Sequence, residues 1–78
     1  MDAEKASVYP NPVENQLNIK AKGLQRIAVY NAMGQLVKTV EVGGQDQFGM
    51  QVDGFMPGLY TLQLVTDQGV VSKSVLVK

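Results

Sequence analysis

The 78-residue sequence contains no cysteine, no histidine and no tryptophan. Without cysteine no disulfide can staple a small fold, and without histidine the usual structural zinc sites are closed as well. The absence of cysteine fits a reducing or an oxidising compartment equally, so it decides nothing about location. Long hydrophobic runs are missing too. The opening Met1-Asp2-Ala3-Glu4-Lys5 has no apolar stretch behind it and reads as neither a secretory signal peptide nor an anchor. No later segment approaches the ~20 apolar residues that a spanning helix requires. Charge of one sign is also lacking, because seven basic and seven acidic residues cancel. That balance removes the electrostatic footprint that nucleic acid or an anionic membrane surface asks for.

What is present is an ordinary globular balance of 45% apolar and 18% charged residues, too hydrophobic for intrinsic disorder. A chain of this length supports one domain, and domains this small bury only about 60% of the surface their unfolded chain exposes. Stability is expected to be modest and to rest on apolar packing alone.

Period-two patterns and turn residues run through the chain, and almost nothing has helical period. Gln16-Leu17-Asn18-Ile19-Lys20 alternates polar with apolar, after a turn at Pro10-Asn11-Pro12. Ile27-Ala28-Val29-Tyr30 reads as a second strand, and Asn31-Ala32-Met33-Gly34 as a tight hairpin loop with Gly34 in the left-handed position. Residues 36–42 supply the returning strand. Gly43-Gly44-Gln45-Asp46 breaks the chain, and Phe48, Met50 and Val52 alternate beyond it. Asp53-Gly54-Phe55-Met56-Pro57-Gly58 forbids a regular element. Residues 59–66 and 70–77 then form two strands about Asp67-Gln68-Gly69. About seven short strands at this spacing predict an all-β antiparallel sandwich. Helical readings of 14–22 and 29–42 are set aside, the first for Pro12 and its strict alternation, the second because Gly34 in mid-helix costs about 1 kcal/mol. Leu17, Ile19, Ile27, Val29, Leu36, Phe48, Tyr60, Leu62, Leu64, Val75 and Val77 are expected in the core, with Lys20, Lys22, Arg26, Lys38 and Glu41 exposed.

The inventory offers no catalytic machinery. Ser-His-Asp and Cys-His arrangements are impossible, and Ser7, Ser72 and Ser74 have no evident base. Glu41, Asp46, Asp53 and Asp67 fall where Asx turns or solvated strand ends expect an acid. Asp46 and Asp53 are too sparse to supply the six to eight oxygens of a calcium site. The expectation is a protein that is not an enzyme, with no cofactor and no metal, whose role is to be recognised by another protein.

An ordered set of motifs points further. Val8-Tyr9-Pro10-Asn11-Pro12, then Leu17-Asn18-Ile19, then Val29-Tyr30-Asn31 leading to Gly34-Gln35-Leu36-Val37, resemble the successive motifs of the type IX secretion system C-terminal sorting domain. Met56-Pro57-Gly58-Leu59-Tyr60 is similar to that family's proline-glycine-x-tyrosine block, and Ser72-Lys73-Ser74-Val75-Leu76-Val77-Lys78 to its closing strand. Met56 stands where the family often has an aliphatic residue, and Ser74 where a second basic residue is common. The resemblance runs from about Val8 to Lys78, so 7–78 is expected to be the domain and 1–6 a flexible flank or an expression remnant. It implies a signal at the C-terminus of a cargo protein in certain Gram-negative bacteria. The cargo would pass from periplasm across the outer membrane, recognised by an outer-membrane shuttle protein and a cell-surface sortase. The sortase would remove the domain and leave the cargo at the cell surface or outside. On that reading the chain is an excised tail whose cargo lay before Met1.

Each motif also has a purely structural reading. Tyr9, Pro10, Asn11 and Pro12 suit any strand end with a rigid turn. Tyr60, after Pro57 and Gly58, suits the corner tyrosine of a small immunoglobulin-like β-sandwich. Lys73 and Lys78 suit edge-strand gatekeepers. For the final strand recognition is favoured, with Lys73, Val75, Leu76, Val77 and Lys78 carrying the signal on an exposed edge. Unpaired edges also predict a homodimer through edge or swapped strands. The competing functions are a free-standing immunoglobulin-like adhesion or carbohydrate-binding module and an architectural spacer. A sugar binder would expose a row of aromatic rings, whereas Tyr9, Tyr30 and Tyr60 are spread over three segments.

Overall fold

The computed structural model describes residues 6–78, and every regular element in them is a β-strand. The five strands are β1 (Ala6–Tyr9), β2 (Gln16–Tyr30), β3 (Leu36–Gln51), β4 (Gly58–Thr66) and β5 (Gly69–Val77). All ladders are antiparallel and belong to one sheet. Of the expected 1–6 flank, residues 1–5 lie outside the described residues, and Ala6 is already a buried member of β1.

The six strand segments placed in the sequence merge into four, β2 to β5, because two of the expected breaks are bends, and β1 is a fifth strand that the sequence reading did not place. The stretches 16–20 and 27–30 are the two ends of β2, and 36–42 and 48–51 belong to β3, which runs beside β2 from Gln16↔Gln51 to Tyr30↔Leu36, with Val52 just beyond its end. Register shifts between Lys20 and Arg26 mark the bend in β2. Gly23 sits there at φ 68°, where an L-residue is strained. Its N–H donates to Asp46 Oδ1 at 2.9 Å, and its carbonyl accepts from Asp67 N–H at 3.1 Å.

The bend allows two strands to share the other edge of β2. β1 lies against Asn18 to Ala21, and β4 lies against Leu24 to Tyr30. With β5 added outside β4, the sheet curls until β5 approaches β1, and Val13 closes the gap as a parallel bridge to Val77. The result is one curled five-stranded sheet around a single core, in place of the expected seven-stranded sandwich.

The inner face carries the period-two apolar positions. Leu17, Ile19, Ile27, Val29, Tyr60, Leu62, Leu64, Val75 and Val77 are buried as expected, together with Val13, Ala21, Leu24, Met50 and Val52. Each fully buried Val or Leu contributes about 1.5–3 kcal/mol relative to exposure. Lys20, Lys22, Arg26, Lys38 and Glu41 are exposed. Leu36 departs from expectation, at 55% exposed. A bulge between Val29 and Tyr30 pairs Leu36 with Tyr30 and leaves Val37 as the extra residue, turning Leu36 off the core face. Phe48 is only half-buried, packed against the rim of the core on the edge strand.

Candidate functional site

The final strand is positioned by β4, residue for residue, from Gly58↔Val77 to Thr66↔Gly69. Pleating then sorts its side chains by parity. Val75 faces Tyr60 and Val77 faces Gly58, and both valines are 2% exposed. Lys73 has the same parity, opposite buried Leu62, and is half-buried. Lys73, Val75, Leu76, Val77 and Lys78, expected together on an exposed edge, are therefore divided between the two faces. Lys73 stands with the valines, and the outward row is Ser72, Ser74, Leu76 and Lys78. Leu76 pairs across the strands with Leu59, at 42% and 53% exposed respectively.

The outer edge of β5 is not the open edge expected from its position in the chain. Asn11 lies beside it and places its side-chain amide where a neighbouring strand would place a peptide group. The Leu76 N–H donates to Asn11 Oδ1 at 3.0 Å, and Asn11 Nδ2 donates to the Ser74 carbonyl at 3.2 Å. Two residues on, Val13 N–H donates to the Leu76 carbonyl at 2.8 Å, and Lys78 N–H donates to the Val13 carbonyl at 2.9 Å. Pro10 and Pro12 on either side of Asn11 have no N–H to offer. The Tyr9-Pro10-Asn11-Pro12 motif is thus the strip that closes the final strand. Sequence reading treated it as a turn and missed Val13, whose side chain is fully buried. The available signal was an asparagine between two residues unable to donate.

The other motif residues are held by local bonds. Asn31 Oδ1 accepts from the N–H groups of Met33 (2.9 Å) and Gln35 (3.0 Å), and Gly34, at φ 83°, donates its N–H to the Asn31 carbonyl at 3.0 Å. This is an Asx-type loop closed by its own side chain. Tyr60 donates its hydroxyl to the Met56 carbonyl four residues back, at 2.7 Å, and its ring lies 5.2 Å from that of Phe55. Pro57 is exposed between them, and Gly58 takes φ 151° at the start of β4. Both groups join neighbouring elements at the ends of the curled sheet.

The three tyrosines do not gather. Tyr9 is exposed beside Asn18, Tyr30 is half-buried beside Thr61, and Tyr60 is in the core. Asp46 is engaged with Gly23, and Asp67 sits in the turn after β4. Glu41 pairs with Arg26 at 2.8 Å on the outer face.

Compared with known families, residues 7–78 match the model of the secretion system C-terminal sorting domain. No curated protein matches the chain. The match spans the five strands, all but the first residue of β1, together with the Asn11 strip.

Proposed function

Because the chain belongs to the family of secretion system C-terminal sorting domains, the type IX signal that sends cargo toward the outer membrane and cell surface, we propose that it acts as a signal read by protein partners and not as a catalyst. The match over residues 7–78 is the observation that carries this reading. In this reading an upstream cargo is delivered by the type IX machinery, with an outer-membrane shuttle protein recognising the domain and a surface sortase then removing it.

The residues divide by what a partner can touch. Val75 and Val77 are buried, and their part is to hold β5 against β4. Leu76 and Lys78, with Leu59 beside Leu76, are the outward groups of the last strand and supply the contact. Lys73, half-buried on the valine side, orders the strand. A folded domain read through its outward row keeps its hydrogen bonds, which suits a domain with only a few kcal/mol to spare.

A reporter fused upstream tests the reading. The double variant Leu76→Ala plus Lys78→Ala is expected to keep the melting temperature of the parent and to deliver less reporter to the cell surface. Val77→Ala is expected to lose stability and delivery together. Normal delivery and cleavage with the folded double variant would refute the outward row as the signal. Normal delivery after deletion of 7–78 would refute the sorting function itself.

A further inference from the structure

Among the described residues β3 pairs with β2 alone, so its other edge is bare. A strand edge with free backbone groups is a template for another strand, and proteins guard such edges with charges or distortions. β3 guards part of its edge in both ways. Residues 36–46 carry Lys38, Glu41 and Asp46, and Gly43 and Gly44, at φ 83° and 94°, interrupt the extended backbone. Beyond them Gln47-Phe48-Gly49-Met50-Gln51-Val52 has no charge and no proline, and it runs beside β2 without a register shift.

One bond fixes which backbone groups of this stretch face out. The Val52 N–H donates to the Asn15 carbonyl at 2.8 Å, so Val52 turns its backbone groups towards β2. Alternation turns those of Phe48 and Met50 the same way, and those of Gln47, Gly49 and Gln51 to the open edge. None of these three has a backbone partner on that edge among the described residues. All three are exposed, and Phe48 is left half-buried at the rim of the core.

We propose that this stretch is a self-association site, where β3 pairs antiparallel with β3 of a second copy of the chain, centred on Gly49. The stretch is complementary to itself. Gly49 falls opposite its twin and Gln47 opposite Gln51, so every outward N–H and C=O of these three residues finds a partner in both copies. Odd-numbered residues meet odd and even meet even, so the inner and outer faces of the two sheets continue into each other. Phe48 falls opposite Met50 with its twin on the diagonal, which joins the rims of the two cores.

On the outer face an amide row already runs from Asn18 through Gln16 to Gln51, each step a side-chain bond of 3.4 Å. The second copy's Gln47 becomes its next member. A glycine at the centre suits a place where another backbone comes close. Neighbouring registers fit less well. A slide of two residues one way sets Asp46 against buried Met50, and the other way carries the pairing into the turn at Asp53-Gly54. A foreign strand would have to bring the same alternation of amide and apolar side chains about a residue with none, whereas a second copy brings it by symmetry.

Sedimentation of the 78-residue chain over a concentration series is expected to show a monomer–dimer equilibrium. Two double variants at exposed positions test the register. Gln47→Glu with Gln51→Glu sets like charges directly across the pair, and Gln47→Glu with Gln51→Lys sets opposite ones. The second is expected to dimerise at a concentration at least about tenfold lower than the first, and the difference should shrink as salt is added. A parent that stays monomeric up to about 1 mM overturns the proposal. So does a dimer that the two variants leave equally strong, which would place it elsewhere, such as on an exchanged β5. Hydrogen exchange on the parent supplies a test that needs no variant. The Gly49 amide should slow as concentration rises, while the Met50 amide, turned towards β2, stays equally slow throughout. Exchange at Gly49 that does not change with concentration overturns the site.

Discussion

The N–H of Gly23 donates to the Oδ1 of Asp46 at 2.9 Å, joining the bend of β2 to the bend of β3. The two residues are 23 positions apart, and each lies where the sequence reads as a gap between strands. The bond lets both strands change direction together while their pairing continues on either side.

Gly23 is therefore expected to be among the least replaceable residues outside the core. Its φ of 68° strains any other residue, and a Cβ there would run into the Asp67 carboxylate. Gly23→Ala should lower stability by about 1–2 kcal/mol in urea unfolding. Gly34→Ala, at φ 83° but with open space around it, carries the backbone term without the clash and should cost less. An equal loss in both would mean that the Asp67 side chain gives way freely.

The Tyr60 hydroxyl is expected to act as a fastener between the 53–57 loop and the core. Tyr60→Phe keeps the ring in its place beside Phe55 and removes only the 2.7 Å bond to the Met56 carbonyl. The loss should be about 1 kcal/mol, read as a lower melting temperature with an unchanged far-ultraviolet spectrum. No change in melting would show that water replaces the bond without cost.

The Arg26–Glu41 pair should matter little. At 2.8 Å it is well formed, but its side chains are 54% and 74% exposed. Glu41→Gln is expected to change stability by about 0.5 kcal/mol or less, with the difference shrinking further as salt is added. A loss that persists in high salt would point to a packing role for the Glu41 side chain on the outer face of β3.

Where the chain runs straight, its local order is readable because pleating imposes a period of two whatever the strand pairs with. That is why Leu17 with Ile19, Tyr60 with Leu62 and Leu64, and Val75 with Val77 were legible as core pairs. Gly34 and Asn31 were legible as a loop because their bonds close within five residues. The family resemblance was legible for the same reason, since its motifs are the ordered turns and strand ends themselves.

Tertiary structure alone decided the rest, because it depends on which partner a segment meets. Residues 21–26 belong to no strand in the sequence reading and Gly43 to Asp46 read as a break, yet both are bends because the flanking halves of β2 and β3 keep the same neighbour. Leu36 follows the alternation of β3 yet leaves the core, since a bulge opposite Val29 shifts its register. Pro10-Asn11-Pro12 has no period at all, and its task became visible only when the curl brought Asn11 to Leu76 across 65 residues. Alternation is a property of one strand, and so it is written locally. An edge being open or sealed is a property of two distant segments, and only the closed sheet sets them side by side.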